Sequence, residues 1–301
     1  MLNSTANTGV VHFIGTSTAG ATAIVGSGFL PTLEIGSTLS VEGSGNNVAT
    51  LDLQGGVLDF FNGGSVYVSQ KGESKNTGSV TIKGELNLDG GKHTVTVGQP
   101  LTVESIRLTG TDPKMDVHAD VTTTSADTSA LASAIYIQSG EFQVDSGLTF
   151  HLVAGTKISL TGGTFITDAT AGGIVTIEGS FSQWGTSHLE LGTNGKLGTL
   201  LVKEDASLGA RATMSADVNT VTGKCDLILC DGKMYFGLAT NQPTYTYVVG
   251  TAVPANTKFR PFRAKGGIQG TAGLNQPNVP GFTVSVLHPN VGDDEIEITK
   301  T

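Results

Sequence analysis

A ten-residue phrase, SVTIKGELNL at Ser79–Leu88, constrains the fold more than any other part of the sequence. Apolar and polar residues alternate on both sides of Lys83-Gly84. Side chains of a β-strand alternate between its two faces, so the apolar residues are predicted to point inward from two short strands. Glycine allows a bend or bulge between the strands, because it tolerates positive φ and close backbone approach. The predicted inward residues are Val80, Ile82, Leu86 and Leu88.

The same strand–glycine–strand pattern recurs along the chain, and successive phrases begin about 17 to 29 residues apart. It is found at Thr32–Val41, Thr50–Phe60, Ala134–Val144, Lys157–Thr167 and Ile174–Gln183. Irregular periods of this length are typical of a solenoid, in which each coil buries its inward residues against neighbouring coils. The sequence therefore predicts an all-β, right-handed parallel β-solenoid (β-helix) with a C-terminal β closing module.

An antiparallel sandwich or jelly roll is the alternative architecture. It would favour two-residue hairpins of the Asn-Gly or Asp-Gly type. Such dipeptides are few here, whereas glycine pairs recur at the expected corners of coils. The pairs are Gly55-Gly56, Gly63-Gly64, Gly90-Gly91, Gly162-Gly163 and Gly172-Gly173.

Composition agrees with strands and tight corners and excludes several classes of function. Glycine is abundant at 42 residues, proline is scarce at 9, and only 14% of residues are charged. A net charge of −9 with 17 Lys and Arg argues against a nucleic-acid partner, which needs a basic stripe. No apolar run is long enough to predict a membrane span. The N-terminal sequence has no secretory-signal pattern, so we expect a processed or excised piece of a longer protein.

Two domains are expected: a solenoid over residues 1–238 and a capping or closing β module over 239–301. Val10–Gly15 and Thr16–Val25 resemble an incomplete first coil without an obvious cap. Val121–Ala134 lacks period-two alternation, so it is predicted to form a loop or a short helix over Ala126–Ala134. Bulky aromatic residues and arginine concentrate after residue 238, as expected where a solenoid closes its exposed apolar end.

A resemblance to a known family lies in the last third of the chain. GTLLVKEDASLGARATMSADVN at Gly198–Asn219 and KCDLILCDGKMYFGL at Lys224–Leu238 resemble the closing segment of autotransporter-associated and PEP-CTERM-type bacterial surface β-solenoids. Val10–Val25, VVHFIGTSTAGATAIV, is similar to a recurring unit of the same family. The resemblance implies an extracellular or cell-surface structural protein. The given sequence departs from the family in showing no anchor helix or sorting motif after Thr301, which leaves its attachment open.

Many parallel β-solenoids cleave polysaccharides, so the sequence was searched for catalytic groups. Glycoside hydrolysis needs two carboxylates roughly 5–9.5 Å apart. The acidic residues considered were Glu34, Asp52, Asp59, Glu73, Glu85, Asp89, Glu178, Glu190 and Asp293-Asp294. None clusters in sequence with histidine or arginine, although a pair formed across coils stays possible. We therefore predict no catalytic residue and no enzymatic activity.

The sequence also predicts no cofactor and no metal site. The histidines are scattered and lack ligand spacing, at His12, His93, His118, His151, His188 and His288. Gly292-Asp293-Asp294-Glu295 offers oxygen ligands without a calcium-loop frame, and indicates a solvated acidic turn. Cys225 and Cys230, placed on one extended strand, would point to opposite faces about 17 Å apart, too far for a disulfide.

These observations favour a non-catalytic extracellular structural or adhesive β-solenoid of a bacterial cell surface. Because its first coil has no obvious cap, the chain is expected to assemble end to end into a fibre. The expected partners are further copies of itself and a surface glycan. The alternative is a β-helix that binds or cleaves polysaccharide, as a lyase, a hydrolase or a tailspike-like protein.

Overall fold

A computed structural model describes the strands of the first part of the chain and most of the remainder. The described residues are 10–14, 21–24, 32–34, 38–42, 48–59, 65–68, 79–88, 94–98, 100–109, 112–125, 133–168, 173–193, 195–209, 211–237, 246–249, 252–269, 279–288 and 293–301. Before residue 81 the description covers strand backbone alone. Every regular element in these ranges is a β-strand. They contain no helix with the length and apolarity to span a bilayer.

The chain divides into two compact units. Unit 1 comprises Met1–Gln143 and Thr149–Thr156, and unit 2 comprises Val144–Leu148 and Lys157–Thr301. Each unit is a stack of parallel strands, and the protein is a β-solenoid. The predicted fold class is confirmed in these terms.

The strands of unit 1 are short and follow the glycine-punctuated phrases of the sequence. They are β1 (Val10–Ile14), β2 (Ala21–Ile24), β3 (Thr32–Glu34), β4 (Thr38–Glu42), β5 (Val48–Asp59), β6 (Ser65–Val68), β7 (Ser79–Leu88), β8 (Thr94–Val97), β9 (Leu101–Leu108), β10 (Lys114–Val117), β11 (Val121–Thr123), β12 (Ser133–Ile137) and β14 (Thr149–His151). Strand β13 (Glu141–Asp145) contributes residues to both units.

Parallel pairing in unit 1 runs in two series. One joins β1 to β4, β4 to β6, β6 to β8 and β8 to β10. The other joins β2 and β3 to β5, β5 to β7, β7 to β9, and β9 to β11 and β12. The chain thus alternates between the two series along each coil, and β2 and β3 pair with separate halves of β5.

Strand β7 contains the phrase that the fold was predicted from. It is one strand of ten residues, and its pairing with β9 shifts register between Ile82 and Glu85. The bend or bulge predicted at Lys83-Gly84 is therefore present, inside one strand rather than between two. The side chains of Ile82, Leu86 and Leu88 are buried, as predicted; that of Val80 lies outside the described side chains.

A corner of unit 1 shows why glycine is required there. Gly140 lies between β12 and β13 with φ of +74°, in the left-handed region that disfavours side chains. A Cβ atom at this position would overlap the carbonyl oxygen of Pro113, which accepts the N–H of Glu141 at 2.8 Å. The close approach of two coils thus depends on the missing side chain.

Unit 2 continues with strands of similar length. They are β15 (Lys157–Leu160), β16 (Thr164–Asp168), β17 (Ile174–Glu178), β18 (Ser180–Gln183), β19 (His188–Leu191), β20 (Thr199–Val202), β21 (Ala206–Leu208), β22 (Thr213–Ala216), β23 (Val218–Asn219), β24 (Lys224–Cys225), β25 (Leu227–Cys230), β26 (Met234–Phe236), β27 (Thr246–Val249), β28 (Lys258–Ala264), β29 (Ile268–Gln269), β30 (Phe282–Leu287) and β31 (Asp294–Lys300).

Three parallel series make up the coils of unit 2. They are β17–β20–β25–β28, β15–β18–β21–β26–β29 and β16–β19–β22–β27. Inward residues stack in register: Val175 faces Leu200, Leu200 faces Ile228, and Ile228 faces Phe262, all fully buried. Coil length varies more than predicted across the protein, from a 20-residue offset between Thr94 and Lys114 to 34 between Ile228 and Phe262.

The last strands of unit 2 change direction. Strand β31 pairs antiparallel with β28 on one side and with β30 on the other. An aromatic cluster lies beneath them, with the Tyr247 ring centroid 5.5 Å from that of Phe262 and the Phe259 centroid 5.8 Å from that of Phe282. Parallel pairing extends past residue 238 to Gln269 in β29. The predicted domain boundary at 238/239 stays a prediction.

Two local predictions need correction. Val121–Thr123, expected to belong to a loop or helix, forms strand β11, because its buried Val121 and Thr123 pair in register with Leu101 and Val103. Ser133 and Ala134 likewise belong to β12, while residues 126–132, where a helix was the alternative, lie outside the described residues. Tertiary pairing here outweighs the weak local pattern.

Candidate functional site

A groove of about 820 Å³ in unit 2 brings together residues from three successive coils. Its lining includes Thr199 of β20 and Leu227 of β25, which are register partners with half-exposed side chains. The turn before β20, the hairpin of β23 and β24, and the start of β28 supply the remainder of the lining. A volume of this size suits a ligand of several rings.

The hairpin is formed by local hydrogen bonds of one asparagine. The Asn219 side-chain oxygen accepts the backbone N–H groups of Val221 and Thr222 at 3.1 and 3.0 Å. Its carbonyl oxygen accepts the N–H of Gly223 at 2.9 Å, and Gly223 has a φ of +68°. This turn, favoured by asparagine followed by glycine in the left-handed region, places Lys224 in the groove.

Basic side chains dominate the groove. Lys196, Lys224, Lys258 and Arg260 line it, together with one carboxylate, Glu297. Lys196 and Lys224 are exposed, and neither forms an ion pair within the described part of the chain. The lining thus carries four positive charges and one negative charge on a protein whose net charge is −9.

Ion pairs fix one side of the groove. Lys258 Nζ lies 2.8 Å from Glu297 Oε1, and Arg260 spans two of the three acids of β31, reaching Glu295 at 2.6 Å and Glu297 at 3.1 Å. The hydrogen bond from Lys258 lowers the pKa of Glu297, and the bond to Glu297 raises the pKa of Arg260. Glu297 is therefore a carboxylate at neutral pH, which suits it to position cations rather than to donate a proton.

Beneath the groove, Asp226 ties three backbone segments together. It is 1% exposed, and its two oxygens accept the N–H of Gly198 at 2.7 Å and of Asp217 at 2.6 Å. Burial raises the pKa of its carboxyl to about 7, opposed by these two hydrogen bonds. Asp226 therefore positions the turn before β20 and the hairpin relative to each other.

The cysteines do not share one strand as predicted. Cys225 ends β24 and Cys230 ends β25, because Asp226 interrupts the extended run. Both are free thiols. Burial raises the pKa of Cys225 to about 12 and that of Cys230 to about 11, so both are protonated and weakly nucleophilic at neutral pH. Cys225 lines the groove, but its chemistry contributes no reactive group.

Two of the acidic residues considered from sequence become register partners across coils, Glu34 of β3 and Asp59 of β5. Glu85 of β7 accepts a hydrogen bond from Ser105 at 3.2 Å in unit 1. Glu178 lies on β17 and Glu190 on β19, in different strand series of unit 2. Glu34, Asp52 and Asp59 lie on β3 and β5, described as backbone, and Glu73 and Asp89 fall outside the described residues. Asp294, expected in a solvated turn, instead accepts the N–H of Ile268 at 2.9 Å.

The histidines are similarly dispersed. His188 Nδ1 lies 2.9 Å from the Thr213 hydroxyl, and burial lowers its pKa. His288 Nδ1 lies 3.0 Å from Asp294 Oδ1. His118 and His151 belong to unit 1, His12 lies on β1, and His93 falls outside the described residues. Within the described ranges no three His, Cys, Asp or Glu side chains gather in a way that could hold a metal ion.

The groove was missed by the search for catalytic and metal-binding motifs. The signal that could have found it is a repeated Gly-Lys dipeptide, Gly195-Lys196 and Gly223-Lys224. Each lysine lies three residues before one member of the register pair Thr199 and Leu227. Its two lysines are 28 residues apart, the same offset by which Thr199 faces Leu227.

Comparison with known proteins adds no relative. No protein-family model matches this chain, and no curated protein matches it either.

Proposed function

We propose that this protein is a non-catalytic structural or adhesive β-solenoid of a bacterial cell surface, which assembles end to end. The observation that carries the proposal is the open edge of β30. Within the described chain β31 is the one strand in register with β30, so the second edge of β30 has no described partner strand. Its sequence, FTVSVL, has neither a charge nor a proline to prevent addition of another strand.

Edges of the same kind occur at the beginning of the chain. In unit 1, β1 has β4 as its one described neighbour and β2 has β5. A strand edge in one copy can pair with an edge in another, since backbone hydrogen bonding is independent of most side-chain identities. The occupant proposed for the β30 edge is therefore the N-terminal edge of a second copy.

The interior of the stacks supports a scaffold role. Fully buried apolar ladders leave little freedom for coils to slide, since a slip of one residue would turn every inward side chain outward. On the outer face of unit 2, Lys203, Asp231 and Lys265 link three coils, with the amines 3.2 and 2.6 Å from the shared carboxylate. Such exposed pairs contribute little to stability, because water and salt screen them.

The groove supports a binding role over a cleaving one. Glu297 is the one carboxylate in its described lining, and two cations hold it. Hydrolysis of a glycoside needs a second carboxyl group on the opposite side of the scissile bond. A cell-surface location rests on the resemblance of Gly198–Leu238 to surface β-solenoids.

Electron microscopy and analytical ultracentrifugation over a concentration series test the assembly. Thr283 and Ser285 are exposed on β30, and the double variant Thr283→Lys/Ser285→Lys adds two charges to that edge. Wild type is expected to form filaments that this variant does not form. The matched control, Thr220→Lys/Val221→Lys, adds the same charges to the exposed hairpin turn and should still assemble. Wild type that stays monomeric at all concentrations, or an edge variant that still forms filaments, contradicts the proposal.

Product analysis on a panel of polysaccharides tests the absence of catalysis. No new reducing ends or unsaturated products are expected from any polymer. Cleavage of any polymer by wild type would replace the scaffold proposal with the polysaccharide-cleaving alternative.

A further inference from the structure

Three lysines from successive coils line the groove. Thr199 faces Leu227 in the register of β20 and β25, and Ile228 faces Phe262 in the register of β25 and β28. One residue earlier, Pro261 corresponds to Leu227 and therefore to Thr199. Lys196, Lys224 and Lys258 each lie three residues before one of these three corresponding positions, and all three line the groove. Neighbouring coils of parallel strands are about 4.8 Å apart. The groove therefore brings together one lysine from each of three neighbouring coils.

Positive charges brought together in this way destabilise the folded protein when no ligand is bound. Like charges that face each other on neighbouring strands are destabilising. A second set of charged residues in the same strand series avoids this, because Asp231 lies between Lys203 and Lys265. Of the three groove lysines, only Lys258 has a carboxylate partner in the described chain, Glu297. Two uncompensated lysines, Lys196 and Lys224, on an acidic protein thus point to a negatively charged ligand that supplies the missing charges.

We propose that this groove binds a short segment of a linear acidic glycan, whose carboxylate or sulfate groups pair with Lys196, Lys224 and Lys258. The inference builds on the adhesive part of the function proposed above and gives it a ligand. Glu297, which also pairs with Arg260, holds Lys258 in place before binding, whereas Lys196 and Lys224 are exposed and can move toward the ligand. The volume of about 820 Å³ accommodates a few sugar residues.

The lining favours a glycan over other polyanions. The Thr199 and Thr222 hydroxyls and the Asn219 amide can hydrogen-bond to sugar hydroxyls. The one aromatic residue of the described lining, Phe259, is 2% exposed and offers no face on which a nucleic-acid base could stack. The apolar members Leu197 and Leu227 are partly covered and form no deep pocket for the anchor side chain of a peptide.

Titration calorimetry on the full chain tests the proposal with defined probes. The probes are a hexamer of galacturonic acid, a sulfated hexasaccharide, a neutral hexamer, hexathymidylate and hexaglutamate. An acidic hexasaccharide is expected to bind, and the neutral hexamer at least tenfold more weakly. The first two probes distinguish carboxylate from sulfate as the recognised group. Added salt should weaken binding, because exposed ion pairs are screened.

The double variant Lys196→Ala/Lys224→Ala should bind the acidic hexasaccharide at least tenfold more weakly than wild type. Because it removes repelling charges, its thermal midpoint should equal or exceed that of wild type. Lys233→Glu changes an exposed lysine outside the groove and should bind like wild type. Equal binding by the double variant, equal binding of the neutral hexamer, or tighter binding of hexathymidylate or hexaglutamate overturns the proposal. None of these outcomes bears on filament formation, which the β30 variant tests separately.

Discussion

Replacement of Asp226 by asparagine tests the corner on which the groove depends. The buried carboxylate accepts one backbone N–H on each oxygen, from Gly198 and from Asp217. In Asp226→Asn one oxygen becomes an NH₂ group that cannot accept a hydrogen bond. One buried backbone N–H then loses its partner, and the new amide donor has none. At about 1–3 kcal/mol for each unsatisfied group, the free energy of unfolding should fall by about 2–6 kcal/mol.

Urea unfolding measures this loss, with the fluorescence of the single tryptophan, Trp184, as the reporter in the same unit. The matched control is Val221→Ser, a change in the adjoining hairpin at a side chain that is 93% exposed. It should alter the free energy of unfolding by less than about 0.5 kcal/mol. An Asp226→Asn variant as stable as the control would refute the argument that the carboxylate secures this corner.

The pH dependence of the same pair tests the charge state of Asp226. Burial raises its pKa from 3.8 to about 7, so the folded protein binds the proton more tightly than the unfolded chain. This contribution to stability is complete below pH 3.8 and is lost as the pH rises to about 7, by a few kcal/mol at most. Asparagine does not titrate, so the stability advantage of wild type over Asp226→Asn should shrink across this range. An advantage that grows with pH would mean that the two N–H bonds outweigh burial.

Three further predictions concern other positions. Phe165→Ala removes a fully buried ring 6.2 Å from that of Phe181, and should lower the free energy of unfolding, measured in urea, by about 3–5 kcal/mol. Ile166→Ala, on the half-exposed face of the same strand, should lower it clearly less. Gly209→Ala places a methyl group against the Trp184 ring, so it should shift the tryptophan emission and cost about 1–3 kcal/mol; an unchanged spectrum would contradict the packing. Because burial raises the pKa of Cys225 to about 12, its thiolate fraction at pH 8 is roughly 10⁻⁴, and a chromogenic disulfide should react with it far more slowly in the folded protein than in urea.

Local chemistry allowed much of the fold to be predicted. Alternation in SVTIKGELNL identified strand β7 and three buried residues, Ile82, Leu86 and Leu88, because period two belongs to the strand itself. The glycine at its centre predicted a bend, and the register shift lies there. Short strands at Ala134–Val144, Lys157–Thr167 and Ile174–Gln183 follow for the same reason.

Some features depend on which coils are neighbours, and only the tertiary structure could reveal them. Val121–Thr123 has a weak pattern and becomes a strand because Leu101–Val103 provides a partner. The sequence treated the stretch between the two cysteines as one extended strand. Asp226 interrupts it, because its carboxylate accepts hydrogen bonds from the backbone N–H groups of Gly198 and Asp217.

The three groove lysines show the same distinction between what the sequence determines and what the tertiary structure adds. The sequence by itself determined that the chain forms glycine-cornered strands, since alternation and turn preference act within about ten residues. It contains Lys196, Lys224 and Lys258 at unequal separations, which no fixed period connects. Only stacking decided that these residues share one groove, because coil length varies while the spacing between paired strands does not.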